Sequence, residues 1–126
     1  MLTGLEIVSH FYDVTLKGSE GIDELSRLFT EDAIFRGPLQ EGNGRAEISE
    51  INAAFVPFVT GYNSLAEFED GNDVSVIHEI HAQFPNGKKV AMTMSEWFQL
   101  RDGLIASHRV YFDPREFLGI MAEMEA

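Results

Sequence analysis

The 126 residues contain no cysteine, only four prolines and a single tryptophan. Without cysteine there is no disulfide, no thiolate metal site and no cysteine nucleophile. Positive charge is also scarce. Nine lysines and arginines face twenty-one aspartates and glutamates, a net charge of −12. Nucleic acid and anionic membrane surfaces are therefore not expected as partners. No apolar run approaches the ~18 residues that a membrane span needs. Met1-Leu2-Thr3-Gly4-Leu5-Glu6 lacks the basic start and apolar block of a signal peptide, so a soluble cytoplasmic protein is expected. What the chain does have is apolar and aromatic residues, at 44% and 11%. That is enough for a packed core within one domain over residues 1–126.

Helical spacing dominates the first half. Leu5, Val8, Phe11, Tyr12, Thr15 and Leu16 fall on one stripe. Gly18-Ser19-Glu20-Gly21 interrupts it, and Ile22, Leu25, Leu28 and Phe29 form a second, shorter one. Ala33-Ile34-Phe35 reads as a short strand that Arg36-Gly37-Pro38 ends. A third helix carries Ile48, Ile51 and Phe55 on its apolar face, with Pro57 near its end. The second half reads as strands: Asn63–Asp70, Val74–Phe84, Lys89–Leu100 and Leu104–Phe112. A last helix opens at Asp113-Pro114-Arg115-Glu116, with Asp113 as N-cap and Glu116 completing a capping box. Its apolar stripe is Phe117, Ile120, Met121 and Met124. The expected fold is α+β. A curved, mostly antiparallel sheet is wrapped by the N-terminal helices into a cone and closed by a short C-terminal helix.

Alternation sorts the strands. Met92, Met94, Glu96, Phe98 and Leu100 share one face, and Leu104, Ala106, His108, Val110 and Phe112 share another; each is the more apolar of its pair. A three-residue loop at Arg101-Asp102-Gly103 makes Glu96 and His108 direct cross-strand neighbours. Burying either group alone is costly, and a hydrogen-bonded pair is tolerable. The pair is either a satisfied structural couple or an acid/base dyad at the floor of a pocket. The strand before them has two possible registers. A two-residue Asn86-Gly87 turn turns Glu79 and His81 inward and leaves Val74, Val76 and Ile80 outside. A three-residue loop ending at Lys88 brings His78 opposite Glu96 instead. The turn chemistry favours the first register and alternation the second; the first is the working expectation.

Tyr12 is either a core tyrosine bonded to backbone or a donor aimed at a ligand oxygen. Phe35, Phe55, Phe58, Met92, Met94, Phe98 and Phe112 are plain core or the lining of an adaptable pocket for a small apolar molecule. Trp97 and Tyr111 on the opposite sheet face suggest a homodimer. Cofactors and metal are not expected. The one metal arrangement open to the sequence is His78, Glu96 and His108 in a row, and it exists only in the second register.

Leu28-Phe29-Thr30-Glu31-Asp32-Ala33-Ile34-Phe35, Gly37-Pro38 and Gly44-Arg45-Ala46-Glu47-Ile48 resemble the front half of nuclear-transport-factor-2-like domains. Asp102-Gly103-Leu104-Ile105 and Tyr111-Phe112-Asp113 resemble the back half of the polyketide-cyclase-type, SnoaL-like branch. The stretch from Pro85-Asn86-Gly87 to Glu116-Phe117 is similar to limonene epoxide hydrolases. The resemblance implies a cone-shaped α+β barrel, usually dimeric, with a cavity for a small apolar molecule. The epoxide-hydrolase Asp-Arg-Asp triad falls on Glu79, Ile77 and Val110, and its water-holding pair near Phe35 and Gly37, so that constellation is absent as such. Against ketosteroid isomerases, the oxyanion-hole tyrosine matches Tyr12 and the protonated acid matches Glu96. The base position falls on Gly37, which leaves His108 and His81 as candidates. The function these features imply is binding of a small oxygen-bearing molecule. The reaction would be isomerisation, dehydration, cyclisation or epoxide opening; the alternative is a ligand-binding or interaction domain without turnover.

Overall fold

A computed structural model describes residues 2–125. Helix α1 (Gly4–Thr15) begins at a reciprocal cap. The Thr3 hydroxyl accepts the Glu6 N–H at 3.1 Å, and the Glu6 carboxylate accepts the Thr3 N–H at 2.9 Å. A 3₁₀ turn and the short α2 (Ile22–Ser26) lead into β1 (Phe29–Arg36) and β2 (Glu41–Asn43). Helix α3 (Arg45–Phe55) follows, then β3 (Val59–Asp70), β4 (Asp73–Gln83), β5 (Lys89–Arg101), β6 (Leu104–Tyr111) and α4 (Arg115–Glu125). The strands form one curved, unclosed six-stranded sheet in the order β2-β1-β6-β5-β4-β3, with only the β1–β6 pair parallel. The α+β architecture is the expected one.

The helices lie over the concave face of this sheet. Val8, Phe11 and Val14 of α1 and Ile48 of α3 are buried with Val74, Val76, Phe98 and Ile105 of the strands. Helix α1 approaches the sheet closely at Gly4, where a Cβ would sit 2.7 Å from Val74 Cγ2. On α4, Phe117 and Ile120 are buried, and the Phe117 ring packs on Phe55 and Phe84. Asp113 is bonded by Arg115, through its backbone N–H at 3.1 Å and its guanidinium, rather than by Glu116 as expected. Arg115 holds the Asp113 carboxyl down at about 2.

Both hairpin registers differ from the expected ones. Between β4 and β5 the loop is Pro85-Asn86-Gly87, not Asn86-Gly87. Phe84 N–H donates to Lys88 O at 2.9 Å, and Gly87, at φ 84°, donates back to Phe84 O at 2.8 Å. Proline at the second turn position and glycine in the left-handed region build a three-residue connection around a tight turn. Glu96 then lies level with Val76 and His78 with Met94. Alternation prevails over the dipeptide signal: Val74, Val76 and Ile80 are buried and His78 points inward. A slip would have put three apolar residues in water.

Between β5 and β6 the turn is two residues long, Asp102 at φ 53° and Gly103 at φ 80°. A β-bulge follows, because Leu100 pairs with Ile105 but Gln99 pairs with Ser107. Turn and bulge each move the register by one residue. Two such shifts restore parity, so His108 keeps its inward face while its direct partner becomes Phe98. Glu96 lies level with Val110 and meets His108 diagonally, not directly as expected.

Candidate functional site

A cavity of about 430 Å³ lies between the concave sheet face and helices α1, α3 and α4. Phe35, Phe55, Phe58, Met94 and Phe112 line it. Met92 and Phe98 share that sheet face but are buried in the core rather than in the lining. The entrance is bordered by Leu16, Leu39, Leu118, Met121 and Met124, each more than a third exposed. The walls are therefore apolar along most of their extent.

The exceptions are few and specific. Glu96 projects from β5 and His108 from β6, and both line the cavity. His108 Nε2 lies 2.7 Å from Glu96 Oε1, with each side chain 6% exposed. A diagonal pair on neighbouring strands starts ~7–8 Å apart at the backbone, within reach of a long glutamate. The His108 ring stacks on Phe98 at 4.3 Å and 13°, and the rings of Phe11 and Phe35 meet it edge-on at 5.3 Å. This aromatic collar fixes the imidazole plane. Among the described residues His108 Nδ1 has no hydrogen-bond partner.

Tyr12 comes from α1, lines the same cavity and is 4% exposed. Burial pushes its phenol well above the ordinary tyrosine range, and the Glu96 carboxylate pushes it further. The hydroxyl thus stays protonated; the Glu96 carboxylate is the acceptor it faces, although no hydrogen bond of regular geometry forms between them among the described residues. A buried donor without a partner costs folding stability, so its retention beside a carboxylate needs a reason.

His78 is the residue that the register correction brings inside. Its ring lies 4.4 Å from Tyr12 and stacks on Tyr62 at 4.9 Å. Burial pulls its pKa below the ordinary histidine value, against an opposing pull from Glu96. Neither ring nitrogen has a partner among the described residues. His78, Glu96 and His108 share the inner face, yet no three His, Asp or Glu side chains among the described residues converge as a metal would require. Glu79 and His81, expected to face the pocket, project outward instead. They form a half-exposed ion pair at 3.0 Å on the opposite sheet face. The epoxide-hydrolase positions thus hold an outward Glu79, an apolar Ile77 and an apolar Val110.

Asn52 is a polar lining residue that the sequence argument passes over. Asn52 of α3 is buried, lines the cavity, and leaves Nδ2 without a partner among the described residues. The signal was available, since residue 52 falls within the stripe of Ile48, Ile51 and Phe55 at helical spacing.

The family model for the SnoaL-like domain matches residues 8–108, which carry Tyr12, Glu96 and His108. The chain belongs to the SnoaL-like family. Solved structures of the same fold surround this SnoaL-like domain. An NTF2-like protein of unknown function from Cytophaga hutchinsonii is 28% identical, with a TM-score of 0.77 over 94% of this chain and 96% of that one. A protein with a ketosteroid isomerase-like fold from Catenulispora acidiphila, solved with trimethylamine, is 18% identical, with a TM-score of 0.73 over 86% and 85%. A putative isomerase from Bacillus subtilis is 16% identical, with a TM-score of 0.74 over 90% and 91%. No functionally curated protein matches the chain. Among the described residues, no helix of this SnoaL-like domain is long and apolar enough to cross a membrane.

Proposed function

We propose that this SnoaL-like domain takes a small, largely apolar, oxygen-bearing molecule into its cavity and moves a proton on it. The observation that carries this reading is the Glu96–His108 pair, 2.7 Å apart and 6% exposed, on the wall of an otherwise apolar cavity. Glu96 spends Oε1 on His108, and a ligand that draws the Tyr12 hydroxyl away from the carboxylate leaves its second oxygen free to act. That oxygen takes a proton from a carbon beside a carbonyl. His108 holds the carboxylate in place and shares its charge. The Tyr12 hydroxyl donates to the ligand oxygen on which negative charge develops. Returning the proton to another carbon gives isomerisation. Delivering it to a β-hydroxyl that leaves as water gives dehydration, and attack by the carbanion on a second carbonyl gives cyclisation, with the proton returned to the new alkoxide. In epoxide opening the carboxylate takes a proton from a water that attacks the ring carbon, and Tyr12 donates to the epoxide oxygen as its C–O bond breaks. No cofactor enters any of these steps.

Deuterium exchange tests this without a known substrate. The protein is incubated with 2-tetralone in D₂O, and loss of the α-proton signals is followed by NMR. Wild type should accelerate exchange over buffer, and Glu96→Gln should lose ~10²-fold or more of that acceleration. Equal rates in the two proteins would remove Glu96 from proton transfer. A second reading is favoured by the enclosure of the His108 ring among Phe11, Phe35 and Phe98. In it the pair only orients a ligand, and 2-tetralone binds without accelerated exchange.

We also propose a homodimer through the outer sheet face. Phe68, Trp97 and Tyr111 are exposed there, and register places all three on that face. The patch is smaller than the sequence implied, because Val74, Val76 and Ile80 are buried. A charge in its middle, Trp97→Glu, should shift the species seen by light scattering toward monomer. A wild-type protein that is monomeric at micromolar concentration would contradict it.

A further inference from the structure

We infer that Asn52 is a specificity-determining residue, whose side-chain amide donates to an oxygen of the bound molecule. The inference rests on the reading of the cavity as a binding site and adds to it a second donor, from a different helix. Asn52 is 9% exposed and sits on the apolar face of α3, one turn after the fully buried Ile48. Its Nδ2 is enclosed and has no partner among the described residues. A leucine here would complete the apolar stripe without leaving a donor unpaired. An amide buried without a bond opposes folding, and buried polar groups are ordinarily bonded. Among the described residues nothing satisfies that donor, and Asn52 lines the cavity, so rotation of its amide toward the cavity brings Nδ2 to an acceptor on a bound molecule.

The chemistry of that group follows from the donors. Nδ2 offers hydrogens, so it pairs with an acceptor. Helix α1 supplies a second donor to the same cavity, the Tyr12 hydroxyl, which faces Glu96 without a hydrogen bond of regular geometry. Two such donors in an apolar enclosure of about 430 Å³ fit an oxygenated ring system or short chain, and discriminate against the bare hydrocarbon. Carbonyl oxygen suits this best, having two lone pairs and no hydrogen of its own to place. Tyr12 acts where charge develops; Asn52 reads whether the oxygen is present.

The test compares 2-tetralone with tetralin, its hydrocarbon counterpart, by NMR titration of wild type, Asn52→Leu and Asn52→Asp. Wild type should prefer the ketone. Asn52→Leu should bind tetralin at least as well, lose about tenfold of the ketone preference, and unfold at the same temperature or higher. An undiminished preference in Asn52→Leu overturns the inference while leaving the Glu96–His108 reading standing. So does a markedly lower unfolding temperature, which would show the amide to be bonded within the fold. Should Asn52→Leu fail to fold, Asn52→Asp decides at a pH where its carboxyl is ionised, since it then keeps the shape and has no hydrogen to donate: ketone preference must fall. Binding of neither probe to wild type would sink the cavity reading and this inference together.

Discussion

Replacing Glu96 by alanine would strand His108, and the cost can be worked from the site. The Glu96–His108 contact is 2.7 Å long, with both partners 6% exposed. Among the described residues His108 has no second partner, so Glu96→Ala leaves both ring nitrogens unbonded inside a collar of phenylalanines. A buried group left without its partner costs about 1–3 kcal/mol, and the lost Glu96 methylenes add about 1 kcal/mol. Water entering the adjoining cavity would bring the figure toward the lower bound. Glu96→Gln keeps an oxygen for Nε2–H and should cost only about 1 kcal/mol. Urea unfolding measures the difference through Trp97, the only tryptophan. Its indole donates to Asp73 Oδ1 at 2.9 Å and lies under the Arg109 guanidinium on the outer sheet face, so its signal reports unfolding and not the mutated site. With a slope of ~1.5 kcal/mol/M, the alanine variant should unfold at about 1–2 M less urea than wild type, and the glutamine variant at well under ~1 M less. Equal midpoints for the alanine and glutamine variants would refute the reasoning, because the pair would then contribute nothing through its hydrogen bond.

Other consequences concern the buried histidine and the helix contact. Burial lowers the pKa of folded His78, so the unfolded chain binds its proton first. Stability from this residue is complete above the ordinary histidine value of ~6.5 and is lost as pH falls below it. Wild type should therefore lose more thermal stability between pH 7.5 and 5.5 than His78→Phe does; equal losses would place the acid sensitivity elsewhere. At Gly4 a methyl group would meet Val74 Cγ2 at 2.7 Å and Glu69 Oε2 at 2.8 Å. Gly4→Ala should cost about 1–3 kcal/mol in a thermal melt, and an unchanged melting temperature would show that α1 docks more loosely than described.

Most of the fold was legible because burial is periodic. The stripe Val8-Phe11-Tyr12 placed α1, and the alternation of Met92, Met94, Glu96 and Phe98 placed the inner face of β5. What the sequence did not decide was parity at the turns. Asn86-Gly87 is a two-residue turn signal, yet Pro85 ahead of it makes a three-residue loop, and the burial of Val74, Val76 and Ile80 settles the competition. In the β5–β6 hairpin the turn reading was wrong by one residue and the bulge added another. The inward face of His108 was therefore correct for incomplete reasons. A bulge leaves little trace in composition, since any residue can occupy it. Asn52 was missed because a single polar residue within an apolar stripe reads first as noise in the helical pattern.

The most direct test of the account is a crystal structure of the protein soaked with 2-tetralone. Ligand density should fill the cavity, with the carbonyl oxygen ~2.6–3.2 Å from the Tyr12 hydroxyl and an α-carbon against the second oxygen of Glu96. Density confined to the outer surface, or a ketone in the cavity whose oxygen points away from both Tyr12 and Asn52 and whose α-carbons lie away from Glu96, would contradict it.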